Sequence, residues 1–96
     1  MKIHDIKCLE TWFNLAKTGY KTCEVRRNDR DYQSGDLLVL REWIKKTGQY
    51  TGEFIIGIIT HVLNDADFTE GLQPGYCVLS YKMLGNCDGE KWAVYR

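Results

Sequence analysis

The stretch that decides the fold is residues 36–63, DLLVLREWIKKTGQYTGEFIIGIITHVL. Two runs rich in Leu, Val and Ile, DLLVLREW and EFIIGIITHVL, lie on either side of the polar segment KKTGQYTG. Apolar, β-branched runs separated by a Gly-containing turn favour two antiparallel strands joined by a hairpin. Gly57 lies inside the second run and predicts a bulge or kink in that strand.

Further strand patterns lie on both sides of this hairpin. KIHDIKC at 2–8 and TCEVR at 22–26 precede it, and YCVLSYKML at 76–84 follows it. In TCEVR, Cys23 and Val25 are expected on one face and Glu24 and Arg26 on the other, polar face. The loop at 64–75 has room for one short helical turn. The tail, GNCDGEKWAVYR, fits either a short hairpin through Cys-Asp-Gly or a partly loose segment.

Residues 10–18 predict a single helix. Leu9, Trp12, Phe13 and Ala16 have the spacing of one helical face, and Gly19 suits the C-terminal cap. We expect the helix to pack through Trp12 and Phe13. One N-terminal helix and five or six short strands predict a mainly β (α+β) fold, a small and mostly antiparallel β-barrel.

The length and the charge of the chain limit the functions it can have. The chain has 96 residues, 44% of them apolar and 27% charged, which is typical of one globular domain. The formal net charge is zero, so no global field favours nucleic acid or a membrane. Residues 1–46 hold ten basic and seven acidic side chains, whereas 47–81 hold four acidic and no basic ones. Any anion-binding surface is therefore expected in the first half.

No apolar run approaches the roughly 18 residues of a membrane span, and the start, MKIHDIKCLE, is too polar for a secretory signal. We expect a cytoplasmic protein without membrane contact, and a monomer by default. The four cysteines, at positions 8, 23, 77 and 87, form no close pair, and His4 and His61 are far apart in sequence. This pattern predicts free thiols, no metal site and no cofactor.

The segment GYKTCEVRRNDRD, residues 19–31, carries four basic and three acidic side chains. It is either a solvated turn or a polar site at the rim of the fold. Alternating signs make a poor track for a phosphate backbone, which needs uncompensated positive charge. They better suit a nucleoside-sized ligand, because donors and acceptors are both present.

This segment resembles the ASCH domains, a branch of the PUA-like superfamily, through the pattern Gly-x-Lys-x-x-Glu-x-Arg. The whole chain is similar to the ASCH-like DUF3850 family over about residues 3–81. The matching pieces are Lys21, Thr22, Glu24 and Arg26, then Asn28-Asp29-Arg30, Gly35-Asp36, Leu40-Arg41-Glu42-Trp43, Tyr50-Thr51-Gly52 and Gly75 to Leu79. We take residues 1–81 as the domain and 82–96 as a C-terminal extension.

The resemblance implies a PUA-like β-barrel with a cleft at the helix-to-strand junction that binds RNA or a modified nucleotide. Some ASCH proteins resemble small amide hydrolases that deacylate modified cytidine with a Lys, a Thr and a distant Glu. Here Glu24 occupies the position of that Thr, and no distant Glu is evident. A hydrolase, with Lys21 and Glu24 as catalytic residues, is therefore the alternative. A protein-interaction module using the acidic 53–70 region is a second alternative.

The candidate ligand-binding residues are Lys21, Glu24, Arg26, Arg30, Trp43 and Tyr50. Lys21 would bind a phosphate or carbonyl oxygen, and Glu24 would accept from an exocyclic amine. Arg26 would orient Glu24 or bind a phosphate, and Trp43 or Tyr50 would stack on a base. Purely structural interpretations stay open for most of them. Lys21 would be a solvated lysine, Glu24 and Arg26 a surface ion pair, residues 28–31 a structural turn, and Trp43 a packed side chain.

Overall fold

The computed structural model describes residues 1–94, which form six strands, one α-helix and one short 3-10 turn. The strands are β1 (Ile3–Leu9), β2 (Cys23–Arg27), β3 (Leu37–Ile44), β4 (Gln49–Asn64), β5 (Tyr76–Cys87) and β6 (Trp92–Val94); the helix α1 is Glu10–Lys17 and the 3-10 turn is Asp65–Asp67. The predicted mainly β fold with one N-terminal helix is confirmed. No helix within residues 1–94 is long and apolar enough to cross a membrane.

The strands form one sheet in the order β1-β3-β4-β5-β2, with β6 also paired to β5. Every pair is antiparallel except β1 with β3, which is parallel. Parallel neighbours need a long crossover connection, and the chain from α1 to the start of β3 supplies it. The 16-residue β4 changes register at Ile56/Gly57 and Ile59/His61. These bulges bend β4, and the sheet curls into a half-barrel whose edge strands are β1 and β2. The expected irregularity at Gly57 is thus confirmed.

Helix α1 packs on the sheet through two side chains, Phe13 and Ala16, each 0% exposed. The expectation that Trp12 also packs into the core is wrong, because Trp12 is 49% exposed. One residue of helix turns by about 100°, so Trp12 lies on the flank of the Phe13–Ala16 face. The core around them contains Ile6, Cys8, Tyr32, Leu38, Leu40, Ile55, Ile59, Cys77, Leu79 and Tyr81.

Strand β2 alternates as expected, but its polar face is the one that turns inward. Glu24 is 7% exposed, whereas Val25 is 61% exposed and Cys23 is also exposed. An apolar residue points outward and a carboxylate points inward, which is the reverse of an ordinary half-buried strand. Such an arrangement requires partners for the buried carboxylate.

The C-terminal segment joins the same sheet up to residue 94. Strand β5 continues to Cys87, and β6 pairs with it through Gly85 and Val94. The rings of Phe54 and Trp92 meet edge to face, 5.3 Å apart. The hairpin interpretation of the tail therefore holds for residues 88–94, and the part of the tail at positions 95–96 lies outside the described residues.

A buried polar pair ties the beginning of β1 to the beginning of β3. His4 Nε2 lies 2.8 Å from Asp36 Oδ2, and both residues are 4% exposed. Asp36 also accepts hydrogen bonds from the backbone N–H groups of Lys2 and Gln33, each at 3.0 Å. The hydrogen bond from His4 and these two backbone bonds lower the pKa of Asp36 to about 2.

Candidate functional site

The two edge strands of the half-barrel face each other across an open seam that arginine side chains bridge. Arg26 Nη2 on β2 donates to the carbonyl oxygen of Lys7 on β1. Arg30 Nη1 donates to the carbonyl oxygen of Asp5 at 3.0 Å. Edge carbonyls need partners, and here guanidinium groups supply them. We call the space between β1 and β2 the seam.

The charged triad of Lys21, Glu24 and Arg26 lies at one end of the seam. Lys21 Nζ donates to Glu24 Oε1 at 2.7 Å and to the carbonyl oxygen of Cys23 at 2.5 Å. Arg26 Nε lies 3.7 Å from the other oxygen, Glu24 Oε2. The three predicted residues are therefore brought together around one carboxylate. Because a carboxylate has about four lone-pair sites, Glu24 keeps room to accept from a ligand.

Local chain geometry explains why Lys21 reaches Glu24. Gly19 has φ 85°, a left-handed conformation that ends α1, and the N–H of Lys21 then bonds back to the carbonyl of Leu15 at 3.0 Å. This turn delivers Lys21 to the start of β2. From the other side, the hydroxyl of Tyr81 donates to the Lys21 carbonyl at 3.2 Å. Lys21 is thus anchored through its backbone as well as its ammonium group.

A cavity of about 330 Å³ opens beside this triad, and we call it the base cleft. Its lining includes Lys7, Cys8, Trp12, Glu24 and Arg26. An adjoining concavity of similar size is also lined by Trp12 and Glu24, and Lys21 lines it as well. The volume lies at the lower end of the roughly 300–1,000 Å³ of small-molecule sites. A buried charge at the floor and a half-exposed indole at the wall give the base cleft both polar and apolar surfaces.

Two predicted aromatic residues do not line these concavities. Trp43 meets Tyr50 edge to face at 4.7 Å, and Lys7 Nζ lies 4.0 Å from the Trp43 ring. Lys7 thus contacts the Trp43 ring and also lines the base cleft. Ligand stacking by Trp43 or Tyr50 stays a prediction, while the aromatic wall of the base cleft is Trp12. Arg30 lines a neighbouring cavity on the same seam.

Sequence reasoning missed Trp12 and Cys8 as cleft residues. Trp12 was expected to pack with Phe13, and Cys8 was treated only as a free thiol in a short strand. A signal was available for Trp12, since the sequence predicts only a short helix, at residues 10–18. A helix this short buries a narrow face, so one large side chain in its first turn remains outside.

Burial keeps two groups near Glu24 protonated and neutral, the Cys8 thiol and the Tyr81 hydroxyl. Burial, together with the charge of Glu24, raises the pKa of the Cys8 thiol to about 11. Burial and Glu24 also raise the pKa of Tyr81. A thiol with a raised pKa is a poor nucleophile. Within residues 1–94, no group of three or more His, Cys, Asp or Glu side chains is arranged to hold a metal ion.

Comparison with known proteins places the cleft inside a recognised family range. The model of a family described as "Domain of unknown function (DUF3850)" matches residues 3–81. A protein of Escherichia phage P2, "Uncharacterized 12.9 kDa protein in GpA 3'region", is 37% identical over 84 residues, which cover 88% of this chain and 71% of the phage protein. Every residue of the base cleft falls within the matched range.

Proposed function

Since the chain belongs to the DUF3850 family, whose description assigns no activity, we propose its function from the geometry of the base cleft: it binds one unpaired base, presented by RNA or by a modified nucleotide. The observation that carries this proposal is the Glu24 carboxylate, 7% exposed, at the floor of a cleft walled by Trp12. We also propose that the chain is related to the PUA-like ASCH domains and that it is located in the cytoplasm, where RNA is available.

Four side chains, from the base cleft and the concavity beside it, match three features of a nucleobase. The Trp12 indole offers a flat surface for stacking, which typically contributes about 1–3 kcal/mol per base. Glu24 accepts from an exocyclic amine, as carboxylates do with the N4 amine of cytosine. Lys21 and Arg26 donate to a ring carbonyl or to the sugar-phosphate. A cytosine-type base, which carries an amine and a carbonyl on the two sides of one ring nitrogen, satisfies all three.

A single-stranded ligand fits better than a duplex. Bases are available for stacking and edge recognition only where the strand is unpaired. The net charge of the protein is zero, and the triad places a carboxylate among its cations. A duplex-binding surface needs a longer uncompensated basic track.

The amide hydrolase ranks below the binding module. Both polar contacts of Lys21 Nζ, to Glu24 and to the Cys23 carbonyl, are with acceptors that bind an ammonium group. A general base or nucleophile would need a free amine. The neighbouring thiol, Cys8, is also held protonated by burial. Turnover of N4-acetylcytidine by the wild type, lost in Lys21→Ala, would reverse this ranking.

The proposal is tested by fluorescence anisotropy with a labelled single-stranded RNA hexamer that contains cytidine. Glu24→Gln should weaken binding by about 1–3 kcal/mol, because a charged hydrogen bond is lost. The matched control is Glu70→Gln, which removes an exposed carboxylate in the loop after β4, outside the cleft. Melting curves establish that both variants are folded. If the wild type does not bind the hexamer, or if Glu24→Gln binds it as tightly as wild type, the proposed function is wrong.

A further inference from the structure

A second cavity, of about 190 Å³, lies beside the base cleft on the same seam. Lys7 and Arg26 line both cavities, so the two are neighbours. Arg30 lines the second cavity and not the base cleft, whereas Trp12 lines the base cleft and not the second cavity. A ligand group in each cavity would therefore be read by different side chains.

The second cavity is strongly cationic within a neutral protein. Four lining residues are basic, Lys7, Arg26, Arg27 and Arg30, and one, Asp29, is acidic. Arg26 is partly offset by Glu24, whose Oε2 lies 3.7 Å from Arg26 Nε, which leaves Lys7, Arg27 and Arg30 in excess over Asp29. The other neighbouring carboxylates are paired elsewhere. Asp5 is paired with Arg41 at 2.7 Å and Asp31 with Lys2 at 3.6 Å. A concave surface with one sign of charge concentrates ions of the opposite sign.

The guanidinium groups at this cavity are held in place with donors to spare. Arg26 and Arg30 each bind a carbonyl oxygen of β1, which fixes their positions across the seam. A guanidinium group has five N–H donors, and one carbonyl oxygen does not use them all. Arginine is the side chain best matched to a phosphate, because its planar fork can donate two parallel hydrogen bonds.

A tyrosine hydroxyl adds a neutral donor to the same lining. Tyr32 lines the cavity and is 3% exposed. Its hydroxyl has no hydrogen bond to another side chain or to the backbone among residues 1–94. Burial raises the pKa of Tyr32, so the hydroxyl keeps its proton. The lining thus combines fixed cations with a neutral group that can donate one hydrogen bond.

We propose that this second cavity is a phosphate subsite, and that the ligand of the seam is a phosphorylated nucleoside. Its base lies in the base cleft against Trp12 and Glu24, and its phosphate binds Arg26 and Arg30. This inference rests on the proposed function and adds to it the place where the phosphate of the ligand binds. The same phosphate chemistry belongs to the monoester of a free nucleotide and to the diester of an RNA strand.

The test is calorimetric titration of the full chain with cytidine and with cytidine 5′-monophosphate at fixed salt. The nucleotide should bind the wild type about tenfold more tightly than the nucleoside, as one charged hydrogen-bonded contact contributes. In Arg30→Gln the ratio of the two affinities should fall toward one. The matched control is Lys46→Gln, which removes one positive charge from the exposed β3–β4 turn and should leave the ratio unchanged.

The possible results separate the two claims. If cytidine binds and the phosphate adds nothing, or if Arg30→Gln keeps the wild-type ratio, the phosphate subsite is wrong and the base cleft stands. If neither compound binds, the base cleft is wrong and the subsite falls with it. Should Arg30→Gln fail to fold, Arg30→Lys carries the comparison, because lysine keeps the positive charge and loses the planar fork that suits a phosphate.

A trinucleotide with hydroxyl ends, ApCpA, distinguishes the sources of the phosphate. If it keeps the gain over cytidine that depends on Arg30, the subsite accepts an internal diester and the ligand is a strand. If only the monophosphate shows the gain, the subsite requires a terminal phosphate and the ligand is a free nucleotide. Either result supports the subsite.

Discussion

Glu24 is a carboxylate that β2 turns inward, and its burial depends on the partners around it. Lys21 and Arg26 are three and two positions away, so the sequence alone could predict that they lie together. The sequence could not predict that the cluster is buried. In a short edge strand, apolar Val25 and polar Glu24 compete for the inner face, and Lys21 from the preceding turn and Arg26 from β2 stabilise the inward position of Glu24.

Removing Lys21 should therefore destabilise the fold. Lys21→Ala leaves Glu24 with the more distant Arg26 as its only charged partner within residues 1–94. We expect a loss of about 1–3 kcal/mol in the free energy of unfolding, the usual cost of a buried polar group left unpaired. Urea denaturation measures it, with Lys46→Ala as the exposed control. The double variant Lys21→Ala/Glu24→Gln should recover part of the loss; an unchanged urea midpoint in Lys21→Ala would show that Glu24 does not depend on this ion pair.

Asp36 should make the protein sensitive to acid. Its folded-state pKa of about 2 lies below its ordinary value of 3.8. A lowered pKa means that the ionised form stabilises the folded state, so this contribution is complete above about pH 4 and is lost as the pH falls toward 2. In Asp36→Asn the free energy of unfolding should change less over that range than in the wild type. The control, Asp31→Asn, alters an exposed ion pair and should keep the wild-type pH profile.

At the scale of elements, the apolar runs predicted β3, β4 and β5 because buried strands leave a continuous hydrophobic signature. The ends and bulges of these strands could not be predicted as well from the sequence. Strand β4 begins at Gln49, inside the segment assigned to the hairpin connection, because pairing with β3 extends to the turn at 45–48. The bulge at Ile59/His61 leaves His61 exposed, although it lies in an apolar run. Both features depend on pairing partners far along the chain.

Strand β6 should depend on the absence of a side chain at Gly85. A Cβ atom at this position would lie 2.5 Å from the carbonyl oxygen of Ala93. Gly85→Ala should therefore push β6 away from β5 and cost about 1–3 kcal/mol, as overpacking usually does. Hydrogen exchange should accelerate at 92–94 while β3 and the first half of β4 stay protected. Leu84→Ala, at the half-exposed neighbouring position, is the control; protection of β6 in Gly85→Ala equal to wild type would contradict the packing described.

At the scale of the whole molecule, the candidate site exists because the half-barrel is not closed by backbone pairing between β1 and β2. The contacts that bridge the seam join Arg26 to Lys7 and Arg30 to Asp5. The two residues of each pair are 19 and 25 positions apart in sequence, so no local sequence pattern could predict these contacts. The composition did indicate a basic first half, and five of its ten basic residues line the cavities at the seam: Lys7, Lys21, Arg26, Arg27 and Arg30.

The same distribution of charge limits how RNA binding should respond to salt. The cations available on β2 and the following turn allow about three phosphate contacts, and each contributes a slope of about −0.7 for a single strand. A plot of log K against log salt for the RNA hexamer should therefore have a slope of roughly −2. A slope near −6 would require a basic track elsewhere on the molecule.

The most direct test of the central claim uses the three tryptophans of the chain, at positions 12, 43 and 92. Their indole N–H groups give separate signals in a ¹⁵N-correlated NMR spectrum, and only Trp12 lines the base cleft. Titration with cytidine 5′-monophosphate should shift the Trp12 indole signal and the amide signals of Lys21, Glu24 and Arg26, while the Trp92 signal stays fixed. An unmoved Trp12 signal at saturating nucleotide, or a shift at Trp43 in its place, would contradict the account.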